Sequence, residues 1–351
     1  MVPSRADMSV LRPITQEDGD AFAALLARSA DAGAFQVSSR FRIAPWLALR
    51  ALHGEFDGVV AEEPGVPGLV GCGLVRYARA NYEGTLRNIA LLNTLVVDPA
   101  HRRKGLASAL AAWRVAHARA KVGPDGVVYA GIQMGNVGSV KTAARWAKET
   151  AANVVGVFPT PPRRTKPRNG MREATAADYE QFSQRLNDRY GDYAFFPPET
   201  ADHLASFLAE SPVEVPYRFA YVVADANGDL AAGLVVTELA KVRTTLMVRM
   251  PMPMRIMNLL IPIVPKGGHM WEASISRFWF RPGAERAALS LWEALRWEWR
   301  ERASTFMLWT DPRAPLAGLM KPPPFMPKST GSLVIDAPIP LAEGRLVYPM
   351  M

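Results

Sequence analysis

Leu95-Val96-Val97-Asp98-Pro99-Ala100-His101-Arg102-Arg103-Lys104-Gly105-Leu106-Ala107-Ser108 is the stretch on which the reading of this chain turns. An apolar strand, Asn88 to Val97, is stopped by Asp98-Pro99, and a short basic loop follows. A helix then runs from about Gly105 to Lys121, with Leu106, Leu110 and Trp113 along one stripe. That order aims the free N–H groups of a first helical turn, and the positive end of its dipole, at one point. Gly105 and Ala107 leave backbone uncovered there, while Arg102, Arg103 and Lys104 add charge. The physical product is a cradle for a diphosphate. Two rival phosphate loops fail on spacing. Gly135 to Thr142 has Val140 where a P-loop needs its second glycine, and Gly71-Cys72-Gly73 has Arg76 where a dinucleotide pattern needs its third.

Outward from the cradle, strands and helices alternate. Val10 to Pro13 reads as a strand and Asp18 to Ser29 as a helix with Phe22, Leu25 and Leu26 on one face. Phe56 to Ala61 and Leu69 to Tyr77 read as a hairpin, Val127 to Met134 as a further strand, and Ser139 to Thr150 as a helix. The expected class is α/β or α+β with a mixed sheet.

The pattern then repeats. Arg12, Thr15, Asp18 and Phe22 recur as Arg172, Thr175, Asp178 and Phe182; Gly68, Gly73, Leu74 and Val75 recur as Gly228, Gly233, Leu234 and Val235, all at an offset of 160. One constant offset in two separated clusters indicates an internal duplication. Between the copies, Thr160 to Gly170 is rich in proline and cationic residues and lacks an apolar period, as a stiff solvated linker does. The expected division is residues 1–160, a linker at 161–170, and 171–351.

Composition narrows the function classes. With 49% apolar and 21% charged residues the 351-residue chain forms cores, and its net charge of +8 favours an anionic ligand. A single cysteine, Cys72, excludes a disulfide framework and a multi-thiolate metal site; His53, His101, His117, His203 and His269 have no metal-ligand spacing, so no metal is expected. Cys72 itself reads as a small core residue. The polar stretch Met1 to Asp20 lacks a signal-peptide core, and Leu246 to Pro265 carries two arginines and four prolines, a poor membrane span. A soluble, cytoplasmic protein is expected.

A strand followed by Arg-x-x-Gly-x-Ala at a helix start, here Arg102, Gly105 and Ala107, resembles the coenzyme A signature of the GNAT acetyltransferase superfamily. The resemblance covers about Val10 to Phe158, and Gln133 to Asn136 resembles the family's later asparagine motif. It implies a tandem protein of two GNAT-like domains, each a splayed mixed sheet flanked by helices. It further implies a bulged strand parting from its neighbour, with the pantetheine arm of acetyl-CoA in the gap beside Leu95, Val96 and Val97. Backbone N–H groups of Arg103, Lys104, Gly105, Leu106 and Ala107, with Ser108, would hold the pyrophosphate, and Asn136 would touch pantetheine. The implied reaction is attack of an amine on the thioester, with the oxyanion held by a backbone N–H.

The resemblance breaks at the catalytic groups. Seven residues after Asn136, where many members place an acidic tyrosine, stands Ala143. Tyr129 and Ser139 are the substitutes in that region, with core packing and helix capping as their plain structural roles. Asn88 to Thr94 offers no carboxylate as base; Glu83 and Asp57 are the nearest acids and read as surface charges, and some tandem members use the C-terminal carboxylate, here Met351. A base is dispensable if the amine arrives neutral. His101 borders the cradle without a chemical role.

Aligning Pro99 with Pro282 moves the offset to 183, so the second half gains 23 residues, including the Met-rich run Met247 to Met257 near 244–266. At that offset Glu285, Ala288 and Ser290 replace Arg102, Gly105 and Ala107, so the second cradle is expected to be degenerate. The methionines suggest a deformable apolar surface: packing, an acceptor wall, or a protein or membrane contact. The sequence therefore points to an N-acetyltransferase using acetyl-CoA and an amine acceptor. The alternatives are an acyl-CoA-binding pseudoenzyme, and a transferase using aminoacyl-tRNA, which would show a steep salt dependence.

Overall fold

A computed structural model of the chain describes residues 9–29, 36–156, 165–167, 170–249, 252–260, 264–265, 267–320 and 329–348. The first half runs β1 (Val10–Pro13), α1 (Gly19–Arg28), β2 (Gln36–Phe41), α2 (Pro45–His53), β3 (Phe56–Glu62), β4 (Gly71–Tyr82), β5 (Thr85–Val97), α3 (Leu106–Val122), β6 (Val127–Gln133), α4 (Val137–Ala143) and β7 (Glu149–Gly156). The second runs β8 (Arg172–Glu173), α5 (Tyr179–Tyr190), α6 (Ala201–Ala209), β9 (Arg218–Ala224), β10 (Leu230–Thr237), β11 (Arg243–Arg249), α7 (Met252–Leu260), β12 (His269–Met270), β13 (Glu272–Phe280), α8 (Glu285–Glu298), β14 (Thr305–Leu308), α9 (Pro315–Leu319) and β15 (Ser329–Asp336). Most of the expected linker, 161–164 and 168–169, lies outside the described residues, as do Met250, Pro251 and Met351.

The repeated residues do the same local work in both halves. Arg12 grips both oxygens of Asp18 at 2.8 and 2.7 Å, and Arg172 grips Asp178 at 2.7 and 2.6 Å. Each aspartate also accepts the backbone N–H of its threonine, Thr15 or Thr175, which starts the following helix. Phe22 and Phe182 are fully buried beneath those helices. Gly73 and Gly233 recur because neither has room for a side chain: a Cβ would lie 2.7 Å from Arg114 in the first half and 2.7 Å from the Phe182 ring in the second.

The architecture is mixed α/β, with a seven-stranded sheet ordered β1-β3-β4-β5-β6-β15-β7 and a five-stranded sheet ordered β14-β13-β10-β9-β8. Each has one parallel pair, β5 with β6 and β13 with β14, among antiparallel neighbours. Apolar residues of α3, among them Leu106, Leu110, Ala118 and Val122, cover one face of the first sheet; α1, α2 and the second half cover the other.

Long-range pairing departs from the sequence reading in three places. The helix expected over Ser139 to Thr150 ends at Ala143, and β7 begins at Glu149. The reason is β15, which pairs along Glu149 to Gly156 and so offers that segment a ladder in place of a helix. β15 itself comes from the end of the chain and enters the first sheet between β6 and β7. The insertion near 244–266 supplies β11, which pairs with β2 of the first half and with β12 in a three-stranded sheet. From it α7 exposes Met252, Ile256 and Leu259.

Candidate active site

The gap implied for the donor is present. Along β4 and β5, Cys72 pairs with Val96 but Leu74 with Asn93, so β5 carries one extra residue between them. Thr94 takes a left-handed conformation there, φ 47°, and its N–H is held by the Asn93 side chain at 2.7 Å. β5 pairs with β6 only over Ile89–Leu91 against Val127–Tyr129, after which the strands part. Asp98 N–H bonds back to Val70 at 2.9 Å, so by alternation the backbone groups of Val97 face the gap, while Val96 is the partner of Cys72. The Val97 carbonyl accepts Arg102 Nε at 3.1 Å, folding that side chain over the gap's edge.

At the mouth, Arg103 and Gly105 both take positive φ, 64° and 87°, around an ordinary backbone at Lys104, and Gly105 caps α3. The backbone N–H groups of Arg103, Lys104, Gly105, Leu106 and Ala107 bond to no described residue; Ser108 and Ala109 turn back to the Gly105 carbonyl at 3.0 and 3.1 Å. Five free donors in a nest of alternating hand suit a diphosphate. The loop is anchored from below. Asp98 accepts Ala100 N–H at 2.9 Å and Arg28 at 2.5 Å, and His101 lies 3.1 Å from Glu63. That contact gives His101 a structural task.

Arg114 went unnoticed in the sequence. It is buried on α3, lies over Gly73, and donates to the Asn93 carbonyl at 2.8 Å and the Leu74 carbonyl at 3.3 Å, pinning the bulge. Burial lowers its pKa to about 10, so it stays charged at neutral pH. The signal was a cation four residues after Leu110, in phase with the apolar stripe.

The two hydroxyls fall apart. Tyr129 stands where β5 and β6 separate, its ring stacked on Phe195 with centroids 4.3 Å apart. Its hydroxyl is buried without a partner among the described residues, and burial pushes its ionisation far above the ordinary tyrosine value. Ser139 lies at the start of α4, where its N–H is capped by Asn136 at 3.0 Å; the Asn136 side chain is thus engaged, and the residue is exposed. Asp57 is held by His117 and Lys121, both at 2.9 Å, and Glu83 accepts Ala342 N–H at 3.2 Å in the β4–β5 turn. Cys72 is fully buried, which pushes its thiol up to about 12. No group of three or more metal-binding side chains occurs among the described residues.

The second half repeats the splay and fills it. Gly233 pairs with Trp279 and Val235 with Ser276, so β13 is bulged, with Arg277 at φ 51°. β14 leaves β13 after Ile275 and Leu308. Into that gap project Tyr190 and Tyr348, leaving a cavity of about 70 Å³. Tyr190 Oη donates to the Phe278 carbonyl at 2.5 Å, and Phe278 is the counterpart of Leu95 at offset 183. The loop before the helix is also shorter: Arg281 to Ala284, against Asp98 to Gly105. α8 begins at Glu285 itself, and Ala288 N–H is spent on Ala284 at 3.1 Å.

Comparison with known proteins agrees with this geometry. Residues 25–147 match the acetyltransferase (GNAT) family. Saccharomyces cerevisiae N-myristoyltransferase with bound myristoyl-CoA superposes with a TM-score of 0.65 at 11% identity, covering 93% of this chain and 82% of that one. A GCN5-related N-acetyltransferase from Sphaerobacter thermophilus gives 0.59 at 14% identity and covers 96% of both chains. No curated protein matches the sequence. The match to the GNAT acetyltransferase family, whose members use acyl-CoA donors, thus lies in residues 25–147, and the fold over the whole chain is the tandem form of that architecture. No described helix is long and apolar enough to cross a membrane.

Proposed function

We propose that this protein transfers an acyl group, acetyl in the simplest case, from coenzyme A to an amine, with the donor in the gap between β5 and β6. The five free N–H groups from Arg103 to Ala107, at the mouth of that gap, carry the reading. On it residues 1–160 bind the donor. Leu95 and Val97 face pantetheine, Arg102 to Ser108 surround the pyrophosphate, and Asn136 and Ser139 lie beyond β6. Residues 171–351 lend β15 to the first sheet and cover its far face.

The amine lone pair attacks the thioester carbonyl carbon, the C–N bond forms, the C–S bond breaks, and the nitrogen's surplus proton passes to water. The leaving thiolate takes a proton from Tyr129 in preference to Ser139, and the tyrosine recovers one from water as coenzyme A departs. Tyr129 is at the apex, its O–H is committed to no described group, and burial keeps it protonated. A second reading, an acyl-CoA sensor without turnover, is favoured by the lack of a carboxylate in Asn88 to Thr94.

Calorimetric titration of acetyl-CoA tests the proposal. The wild type binds one equivalent. Gly105→Glu, which forces a side chain onto φ 87° and a negative charge onto the cradle, binds none. Absence of binding to the wild type overturns both readings; binding without turnover of any amine favours the sensor.

A further inference from the structure

On the face of the first sheet turned toward the second half there is a cation without a counter-ion. Arg76 on β4 pairs with Leu91 on β5, and Leu91 with Tyr129 on β6, so the three side chains stand in one row on one face. With strands about 4.8 Å apart, Arg76 and Tyr129 are roughly 10 Å apart at Cα, a span two long side chains can close. The row lies at the apex of the gap, and two residues beyond Leu91 is Asn93, the start of the bulge. Arg76 Nη1 is shut off from solvent with no hydrogen-bond partner, and no described carboxylate pairs with this guanidinium.

The neighbours do not balance it. His53, with Nδ1 3.4 Å from Asn93 Nδ2, is pushed down to about 3 by burial and by Arg76 and Arg243, so it is neutral. Arg243 is a second cation; it is met by Glu272 at 3.1 Å, and that carboxylate also accepts Thr245 at 2.8 Å. Tyr129 is protonated. Arg76 is half-buried; closing even part of a guanidinium off from water without an anion is costly, and unpartnered buried polar groups in a folded protein call for an explanation. The diphosphate is not that anion, because its cradle lies at the mouth, beyond Val97 and so more than six residues along from Leu91.

We propose that Arg76 receives a carboxylate of the substrate, carried either by the amine acceptor or by the far end of a dicarboxylic acyl chain on coenzyme A. The guanidinium fork fits the two oxygens of one carboxylate. A phosphate dianion would bring two charges to a place with one uncompensated cation. The inference rests on the acyltransferase reading and narrows it to an anionic substrate.

The test uses the full chain and Arg76→Gln, with acetyl-CoA as a control for folding and donor binding. Succinyl-CoA is compared with acetyl-CoA. In the presence of saturating coenzyme A, glycine, β-alanine and 4-aminobutyrate are compared with methylamine, ethylamine and propylamine. The wild type is expected to bind one carboxylate probe more tightly than its uncharged counterpart by about tenfold or more, the size of a charged hydrogen bond. Arg76→Gln erases that preference and leaves acetyl-CoA affinity within about twofold; Arg76→Lys, which keeps charge without the fork, retains part of it. Preference for succinyl-CoA assigns the carboxylate to the acyl chain, and preference for an amino acid assigns it to the acceptor. Acetyl-CoA binding with no carboxylate preference overturns this inference alone. So does an equal loss of acetyl-CoA affinity in Arg76→Gln, or a fall in turnover with every substrate at unchanged KM. Failure of the wild type to bind any acyl-CoA overturns the donor reading and this one with it.

Discussion

At Thr94 and at Arg277, 183 residues later, the backbone makes the same left-handed turn inside the same kind of bulge, with φ of 47° and 51°. In the first half the bulge opens a gap whose mouth has eight loop residues, Asp98 to Gly105, and five free N–H groups. In the second, four loop residues bring α8 forward, Ala284 N–H turns back to Arg281 and Ala288 N–H to Ala284, and tyrosines enter the gap. The bulge is therefore a property of the fold, and on the proposed reading donor binding is decided by what surrounds it. Duplication copied the strand geometry, while loop length and two aromatic rings separated the copies.

Exchanging the loops tests the comparison most severely. Replacing Asp98 to Gly105 by the sequence Arg281 to Ala284 is expected to weaken acetyl-CoA binding at least about a hundredfold, the loss of several charge-assisted hydrogen bonds. The reverse graft is expected to leave calorimetric stoichiometry at one, because Tyr190 and Tyr348 still fill the second gap. Two equivalents would break the comparison. Next in size is Arg114→Leu, which leaves the Asn93 and Leu74 carbonyls without their donor; a loss of about 3 kcal/mol in urea unfolding is expected. Tyr190→Phe removes the corresponding support in the second half, the donor to Phe278. It is expected to cost about 1.5 kcal/mol without altering acetyl-CoA affinity, which separates the two bulges functionally.

The smallest effect concerns the matched aspartates. Arg172 and the Thr175 backbone hold Asp178 at about 2, below the ordinary carboxyl value, and Arg12 lowers Asp18 in the same direction. A depressed folded pKa means that the stabilisation is complete above about pH 4 and fades as pH falls toward 2. Asp178→Asn is expected to cost about 1 kcal/mol at pH 6, since the arginine is half exposed, and almost nothing at pH 2. Urea unfolding at both pH values reads the difference.

What the sequence disclosed follows from range. The basic loop and its helix start were legible because they are built from consecutive residues, Arg102 to Ser108. The repeat was legible because Arg12–Asp18 and Arg172–Asp178 are local pairs with a fixed separation. Arg114 could have been read from the phase of α3, since an arginine on a buried stripe must find acceptors there. Arg76 could not. In a strand its alternation suits a solvated face as well as a covered one, and that face is covered by distant segments, α2 and the second half through Phe195. The helix expected across Ser139 to Thr150 failed for the same reason: its ladder partner, β15, lies about 180 residues away.

That strand sets the order in which the protein can be made. Residues 10–156 leave the ribosome with β6 and β7 parted by a strand's width, and Ser329–Asp336 is synthesised about 170 residues later. At roughly 5–20 residues per second that is a wait of about ten to thirty seconds, during which the sheet carrying the cradle has two raw edges facing each other. A nascent chain cut at residue 160 should be held by chaperones and unable to retain acyl-CoA, because the first sheet is continuous only once Ser329–Asp336 has threaded home.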